Sequence, residues 1–196
     1  MSLLVIFGDD KLGNLALSQL DNKSGLSVLI DRSSSYRRVL RLVVKGTLSL
    51  ELLVKMYFAE RKRDGQKPPS IYSGIKGNAD LIENLNIINP SKVVLFRAGL
   101  ILNKEILKKR FPVYNIHAAS IPDYGGIGSI GKAIKDRNFK QFASFHEVTA
   151  KIDDGKILDS EDFLLAENSS YFENEQVAYS AAIRLLKRRI RILSGN

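Results

Sequence analysis

Three polar residues in the second half of the chain form a set that could handle a tetrahedral intermediate on a small acyl group. Asn115 and His117 lie two residues apart at the end of a predicted strand, and Asp153 lies in a later Asp-Asp-Gly turn. Side chains two residues apart in a strand project from one face, so the amide and the imidazole are expected to act together. An amide can donate to a developing oxyanion, an imidazole can move protons near neutral pH, and a carboxylate can orient that imidazole.

Each of these residues also has a purely structural explanation. A single histidine at a strand end is more often held by a backbone hydrogen bond, and aspartate with glycine is a common composition of turns. The spacing of Asn115 and His117 favours the chemical interpretation for that pair. The other histidine, His146, lies in the strand that precedes the Asp153 turn. It is either a buried strand residue, which is what we expect, or a second partner of the site.

The composition excludes several other kinds of site. The chain contains no cysteine, so it has no disulfide, thiolate metal site or cysteine nucleophile. Two histidines at this spacing do not form a zinc site, and no metal is expected. There is no Walker sequence, no GxGxxG motif and no GxSxG elbow. Glycines 125, 126 and 128 lead into a helix whose start could hold an anion, although this signal is weak on its own.

The elements that must position these residues alternate between strands and helices. Strands are predicted at 3–7, 26–30, 92–96, 112–116, 142–149 and within 156–165. Helices are predicted at 12–20, 36–63 (divided near Gly46), 78–89 (with Asn78 as a cap), 104–110, 128–136 and 172–193. This alternation predicts an α/β protein: a Rossmann-like domain with a mainly parallel central sheet flanked by helices. A ligand is then expected at the carboxyl ends of the strands.

The whole chain, residues 1–196, is expected to form a single catalytic domain, because its length and its 44% hydrophobic content suit one core. Residues 61–77 are polar, contain paired prolines, and are predicted to form a mobile loop. The apolar run at the N-terminus is too short for a signal or a membrane span. Together with the absence of cysteine, this favours the cytoplasm. The oligomeric state is left open, and a homodimer is compatible with the sequence.

The sequence carries a net charge of +9, from 30 basic and 21 acidic residues. Basic residues cluster within 36–63 and again within 187–191. These clusters have two interpretations of equal standing. They are solvated helix faces, or they attract an anion such as a nucleotide diphosphate. No nucleic-acid-binding motif is present, so no nucleic-acid partner is expected. The amphipathic part of 36–63 also suggests contact with a membrane surface or a protein partner.

Taken together, the motifs resemble those of the folate-dependent formyltransferases. That family has an Asn-x-His at a strand end, a Ser-x-x-Pro-x-Tyr loop and a later Asp-x-Gly turn. The corresponding segments here are Asn115-Ile116-His117, Ser120-Ile121-Pro122-Asp123-Tyr124 and Asp153-Asp154-Gly155, within a resemblance covering about residues 78–165. The chain departs from the family at Gly125, where an arginine is frequent, and at Gly131-Lys132, where an aromatic residue is usual. Both departures concern the acceptor side.

The resemblance implies transfer of a formyl group from 10-formyltetrahydrofolate to an amine. It implies that Asn115 holds the formyl oxygen, that His117 stabilises the developing charge and assists proton movement, and that Asp153 orients His117 and relays protons. It also implies folate contacts near Leu100, Leu102 and the loop Ala150–Asp153. The acceptor contacts that it suggests are Ser120, Tyr124, Gly13 and Asn14.

The acceptor predicted from these features is a small-molecule amine on an anionic molecule, most simply a nucleotide-linked amino sugar whose diphosphate meets the basic segment 36–63. Glycinamide ribonucleotide is an alternative, although only Gly13-Asn14-Leu15 suggests its phosphate loop. Methionyl-tRNA formyltransferases and formyltetrahydrofolate hydrolases are expected to carry further domains, so both rank lower. A non-catalytic module that binds a membrane or a partner, with a vestigial pocket, is the remaining alternative.

Overall fold

The computed structural model describes residues 2–20, 25–33 and 36–195. Predictions for residues 1, 21–24, 34, 35 and 196, and for the side chains of Tyr36 and Arg37, lie outside the described part. The strands are β1 (Leu3–Gly8), β2 (Leu26–Asp31), β3 (Gly74–Ile75), β4 (Lys92–Phe96), β5 (Val113–His117), β6 (Lys140–Glu147) and β7 (Ile157–Leu164). The helices are α1 (Lys11–Ser18), α2 (Tyr36–Val44), α3 (Leu50–Lys62), α4 (Asn78–Ile88), α5 (Lys104–Leu107), α6 (Ser129–Lys135) and α7 (Tyr171–Ser194).

The strands form one sheet in the order β3-β2-β1-β4-β5-β6-β7. The first five strands in this order are parallel, whereas β6 pairs antiparallel with β5 and β7 pairs antiparallel with β6 at one edge. The prediction of an α/β fold with a mainly parallel sheet is therefore confirmed. The strand order reverses direction between β1 and β4, and in such sheets this reversal opens a crevice at the carboxyl ends of the strands.

Two apolar clusters pack against the two faces of the sheet. Alternate residues of β1 belong to different clusters: Leu3, Val5 and Phe7 join one, and Leu4 and Ile6 join the other. This alternation follows from the two-residue period of a strand. All six residues of β1 are buried, so it is a central strand apolar on both faces. One cluster includes residues of α1, α6 and α7, and the other includes residues of α4 and α5.

Most predicted elements agree with the structure to within a few residues, and the exceptions have local causes. Asn78 does not cap α4, because Gly77 occupies that position and Asn78 is the first helical residue. Its side chain instead donates to the Ile101 carbonyl over 3.0 Å and accepts from Asn103 N over 3.1 Å. Asn78 thereby fixes the loop after β4.

Residues 61–77, predicted to be a mobile loop, begin inside α3 and end with the two-residue strand β3. Ile75 pairs with Asp31 at the edge of the sheet, so this segment supplies the outermost parallel strand. The mobility of the intervening residues stays a prediction. Within the described ranges, no helix is long and apolar enough to cross a bilayer.

Candidate active site

The strand β5 delivers Asn115 and His117 to the carboxyl edge of the sheet. It pairs with β4 on one side and with β6 on the other, so its end is held in the middle of the sheet. The side chain of His117 is only 14% exposed. Its Nε2 donates to the Tyr124 carbonyl over 2.8 Å. The other ring nitrogen, Nδ1, lies 3.3 Å from Asp153 Oδ2.

The turn after β6 brings Asp153 to the same place. Its Oδ1 accepts from the Asn115 amide over 3.1 Å, and its Oδ2 accepts from Gly126 N over 2.8 Å. Asp153 has a backbone φ of 48°, in the left-handed region that aspartate tolerates better than most residues. The three groups predicted to act together therefore meet at one place: the Asn115 amide and the His117 imidazole both contact the Asp153 carboxylate.

A glycine makes this turn close enough to reach the site. A Cβ on Gly155 would lie 1.8 Å from the Glu147 carbonyl oxygen, a distance no side chain can occupy. Glu147 N in turn donates to the Lys156 carbonyl over 3.0 Å, so β6 and the residues after the turn are in direct contact. Gly155 is thus required by close packing of backbone on backbone.

His146 is a fourth member of this cluster. It lies opposite Asn115 in the antiparallel register of β5 and β6, beside a bulge at Phe145 and His146, and its side chain is 2% exposed. Its Nδ1 donates to the Glu147 carbonyl over 2.9 Å, so in the neutral ring Nε2 accepts. That Nε2 lies 3.2 Å from the Asn115 amide nitrogen and 3.5 Å from Asp153 Oδ1. His146 is both a buried strand residue and a partner of the site.

A purely structural role for His146, expected from the sequence, accounts for only part of what this residue does. The signal that identifies its partner is the hairpin. Once β6 is recognised as antiparallel to β5, the register places His146 directly across from Asn115.

Burial and charge act in opposite directions on the ionisable groups of the cluster. Burial raises the pKa of Asp153, but the neighbouring His146 and His117 rings and the Gly126 N–H outweigh it, so the pKa lies below the usual 3.8. Burial lowers the pKa of His117 below the usual 6.5, although the nearby Asp153 and the Tyr124 carbonyl oppose this change. The site therefore holds an ionised carboxylate beside an imidazole that resists protonation.

The cluster opens into a cavity of about 380 Å³. Its lining has three parts. The residues that the sequence associated with folate lie on one part of the wall: Leu100, Leu102, Ala150 and Asp153. Helices α2 and α3 contribute Arg38, Val39 and Met56, and α7 contributes Tyr171, Glu175 and Tyr179. An apolar cavity with a few converging polar groups is the usual form of a small-molecule site.

The contacts that Arg97 makes after β4 and the residues of α7 were not anticipated from the sequence. Arg97 follows β4 in a left-handed conformation, with a φ of 60°. Its Nε donates to Asp10 over 2.8 Å, its Nη1 donates to the Tyr179 hydroxyl over 2.6 Å, and its guanidinium stacks on the Tyr179 ring. Glu175 is buried, accepts from the Tyr171 hydroxyl over 3.1 Å and pairs with Arg63 over 2.7 Å. This arrangement depends on long-range packing of α7, which no local motif indicates.

The helix α1 starts at the crevice between β1 and β4, where its free N–H groups would suit an anion. Asp10 fills this position, because its Oδ1 accepts from Gly13 N over 2.7 Å while Arg97 holds its other oxygen. Burial raises the pKa of Asp10, but Arg97 more than compensates, so the pKa is lowered. The start of α1 is therefore occupied by an ionised carboxylate of the chain itself.

The four suggested acceptor contacts have structural roles in the fold. A Cβ on Gly13 would be 2.1 Å from the Gly8 carbonyl oxygen, so this glycine serves helix–strand packing. Asn14 continues α1 through a backbone bond to Asp10. The hydroxyl of Ser120 accepts from Phe142 N over 3.1 Å, which ties its loop to β6. Tyr124 is buried in the core and reaches the site only through its carbonyl. None of the four is among the residues that line the cavity.

The described residues contain no group of three or more histidine, cysteine, aspartate or glutamate side chains placed to hold a metal ion.

Solved structures that superpose on this chain include formyltransferases. Glycinamide ribonucleotide transformylase 1 from Symbiobacterium toebii superposes with a TM-score of 0.70 and 16% identity, covering 100% of this chain and 88% of that one. The N-formyltransferase from Helicobacter canadensis, solved with folinic acid and dTDP-3-aminofucose, gives a TM-score of 0.64 and 16% identity, with coverage of 100% and 65%. The chain has the formyltransferase fold.

Sequence similarity points to the same group of proteins. The chain is 34% identical over 105 residues to methionyl-tRNA formyltransferase from Caldicellulosiruptor saccharolyticus, a match that covers 53% of this chain and 32% of that protein. The chain spans about a third of the length of the curated relatives it matches. No protein-family profile matches the sequence. The fold and the sequence similarity thus support the resemblance to folate-dependent formyltransferases that the motifs indicate.

Proposed function

We propose that this chain is an enzyme that transfers a formyl group from 10-formyltetrahydrofolate to a primary amine. The observation that carries the proposal is the contact of Asn115, His117 and Asp153 around one cavity, with separations of 3.1 and 3.3 Å. A vestigial, non-catalytic pocket would not require a buried, ionised carboxylate held among two imidazoles and an amide. Such perturbed groups cluster where proton transfer takes place.

The side chains have complementary tasks in this reaction. The amine nitrogen bonds to the formyl carbon, the bond from that carbon to the donor nitrogen breaks, and the proton lost by the amine ends on the donor nitrogen. Asn115 donates to the carbonyl oxygen as it becomes an oxyanion. The neutral imidazole of His117, which its lowered pKa favours, accepts the amine proton. Because Nε2 already donates to the Tyr124 carbonyl, this proton goes to Nδ1, where Asp153 lies 3.3 Å away and orients and stabilises the protonated imidazole.

The part of the wall assigned to the donor suits a reduced pterin. It combines Leu100 and Leu102 with residues 150–153, which places apolar residues beside a turn that can supply polar groups. Flat heteroaromatic rings need both, because their faces are apolar and their edges form hydrogen bonds. The folinic acid bound to the Helicobacter canadensis neighbour supports a folate donor. When bound, the donor supplies an activated formyl group.

A nucleotide-linked amino sugar is our first choice of acceptor. Arg38 reaches the cavity from α2 and offers a guanidinium to a diphosphate, and Glu175 with Tyr171 offers acceptor and donor groups to sugar hydroxyls. Glycinamide ribonucleotide is less well accommodated, because Asp10 already occupies the start of α1 and would repel a phosphate there. The aminofucose nucleotide bound to the Helicobacter canadensis protein agrees with this choice.

The amino group of methionyl-tRNA is a second candidate acceptor. The 34% identity to a methionyl-tRNA formyltransferase lies over 105 residues, and the net charge of +9 suits a polyanion. These observations do not depend on what precedes or follows the chain. The sequence identity and the positive charge therefore count for more than the expectation from the sequence that methionyl-tRNA ranks low among the acceptors.

A panel of acceptors tests the proposal. The protein is incubated with 10-formyltetrahydrofolate and amino-sugar nucleotides, glycinamide ribonucleotide or methionyl-tRNA, and formylated product is measured. Turnover of an amino-sugar nucleotide supports the first choice, and turnover only with tRNA selects the second. Turnover only with glycinamide ribonucleotide contradicts both, and no turnover with any acceptor contradicts the formyl-transfer proposal as formulated.

A pair of variants sharpens the choice of acceptor. Arg38→Ala should raise the KM for an amino-sugar nucleotide and leave the KM for the corresponding free amino sugar unchanged, since only the former carries the diphosphate. Lys108→Ala is the matched control, because Lys108 is an exposed cation beyond α5 and outside the cavity wall. An equal effect on both acceptors would contradict a diphosphate contact at Arg38.

A further inference from the structure

Helices α2 and α3 leave large apolar side chains exposed on their outer surfaces. On α3 these are Leu50, Val54, Tyr57 and Phe58, with exposures between 45% and 65%. Their spacing of four, seven and eight residues places them on one face of the helix. On α2, Leu40 and Val44 are one turn apart and are 61% and 79% exposed. Scattered single apolar residues on a surface are normal, but two stripes on consecutive helices are not.

The inner face of α3 is packed against the domain. Leu52 lies directly on α6, since a Cβ added to Gly131 would be 2.3 Å from its Cδ1. Ala59 is buried, and Arg63 after α3 forms the buried pair with Glu175. Because the inner residues already anchor α3 to the domain, its outer apolar stripe adds nothing to the core.

Cations border the exposed apolar stripes. Arg41 lies beside Leu40 on α2, Lys45 directly follows Val44 at the end of α2, and Arg61 follows Tyr57 by one turn on α3. The exposed acidic residue of α3, Glu51, is paired with Lys55 over 2.5 Å. We define the α2–α3 face as Leu40, Arg41, Val44, Lys45, Leu50, Val54, Tyr57, Phe58 and Arg61. It is apolar and carries an excess of positive charge.

We propose that the α2–α3 face docks this protein on the surface of an anionic lipid bilayer. Leucine, valine and aromatic side chains between cations are the composition of helices that lie in a membrane interface. The cations meet lipid phosphates and carboxylates, and the apolar side chains enter the boundary between headgroups and acyl chains. Because Val39 and Met56 of the same two helices line the cavity, docking brings the cavity to the bilayer surface.

Charge argues against the other occupants of this face. A second copy related by two-fold symmetry would set the same cations against each other. A nucleic acid would satisfy the cations, but its phosphate backbone offers no apolar layer for Leu50, Val54 and Phe58. An anionic bilayer complements both properties of the face at once.

Flotation with lipid vesicles tests this proposal. The protein is mixed with phosphatidylcholine vesicles that contain about 30% phosphatidylserine, or none, at low and high salt. We expect binding to the anionic vesicles only, and weaker binding as salt rises. The variants Val54→Ser/Phe58→Ser and Arg41→Glu/Lys45→Glu should each reduce the bound fraction about tenfold or more.

Matched controls come from the other face of the sheet. Ile87, at the end of α4, is 82% exposed, and Lys108 and Arg110 are exposed cations. Ile87→Ser and Lys108→Glu/Arg110→Glu should leave vesicle binding unchanged. Thermal unfolding followed by circular dichroism verifies that each variant is folded, so loss of binding is not confused with loss of structure.

A site-specific probe separates insertion from simple electrostatic adsorption. The chain has no cysteine, so Val54→Cys and Ile87→Cys each provide one labelling site for an environment-sensitive dye. The dye at position 54 should shift to shorter wavelength with anionic vesicles, and the dye at position 87 should not. Absence of wild-type binding to anionic vesicles would overturn the proposal. The proposal would also be overturned if the protein did not bind vesicles but formed a dimer, or a complex with tRNA, that the variants of the α2–α3 face abolish.

Discussion

The amide nitrogen of Asn115 lies 3.1 Å from Asp153 Oδ1, so a hydrogen bond joins residues 38 positions apart. The same nitrogen is 3.2 Å from His146 Nε2, which places both amide hydrogens between groups that accept them. For Asn115 to donate to an oxyanion, one of these bonds must be exchanged. The resting site is thus a closed network that a substrate oxygen must enter.

The role of His146 gives a first prediction. His146→Ala removes the partner that, with Asp153, fixes the Asn115 amide, so the amide is no longer aimed. We expect kcat for formyl transfer to fall about 100-fold, because small misplacements of a positioned group have effects of that size. The KM for either substrate should change little. His146→Gln keeps a hydrogen-bonding group at this position and should recover part of the loss, whereas an unchanged kcat in His146→Ala would assign His146 to packing alone.

Burial of His117 leads to a prediction about stability and pH. Since its pKa is below 6.5 in the folded protein, the unfolded chain takes up a proton first as pH falls, and the free energy of unfolding decreases below about pH 6.5. His117→Asn cannot titrate and should lose this component. Denaturant unfolding at about pH 8 and about pH 5 measures both proteins. The decrease should be larger for wild type than for the variant. Equal decreases would mean that His117 does not resist protonation.

The lowered pKa of Asp153 acts in a different pH range from that of His117. Its stabilising effect is present above its usual value of 3.8 and is lost only as pH falls below it. The two groups can therefore be separated by pH in the same experiment.

The wall assigned to the donor provides a test that separates binding from chemistry. Leu102→Ala removes apolar surface from the cavity, and we expect the KM for 10-formyltetrahydrofolate to rise about fivefold, corresponding to about 1 kcal/mol of lost contact. The values of kcat and of the acceptor KM should stay near those of the wild type. Ile87→Ala, which removes an exposed apolar side chain on α4, is the control. A fall in kcat with no change in donor KM would place the folate elsewhere.

The turn that carries Asp153 depends on Gly155. A methyl group there would overlap the Glu147 carbonyl, so Gly155→Ala must displace the turn from β6. We expect a loss of about 1–3 kcal/mol in unfolding free energy, together with a large fall in kcat as Asp153 moves. Gly77→Ala is a close control, because a Cβ at Gly77 meets no atom within 4 Å. Equal unfolding midpoints for the two variants would contradict the role given to Gly155.

The sequence was sufficient for the parts of the fold that local patterns determine. The apolar run of β1 and the helical periods of α3 and α7 predicted those elements almost to the residue. The contact of Asp153 with Asn115 and His117 could also be anticipated, since a strand end and a turn at the same edge of a sheet converge.

Other features depend on pairing and packing that the sequence does not display locally. The strand β3 has only two residues, which is too few for a recognisable sequence pattern, so its pairing with β2 could not be predicted. The partners of His146 require the antiparallel register of β5 and β6. The Asp10–Arg97–Tyr179 contacts join three segments that are distant in the sequence, so no local pattern indicates them. The close approach of Gly13 to Gly8 is likewise visible only in the structure, where it is a requirement of helix–strand packing.

The most direct test of the account is the rate of formyl transfer in Asn115→Ala and Asp153→Asn, measured by single-turnover formation of tetrahydrofolate with the acceptor that the wild type prefers. Each substitution should lower the rate constant by about 100- to 10,000-fold, because oxyanion stabilisation and proton transfer each contribute at that scale. Donor binding, measured separately, should stay within a few-fold of wild type. Wild-type rates in both variants would contradict the proposal that these residues perform the chemistry.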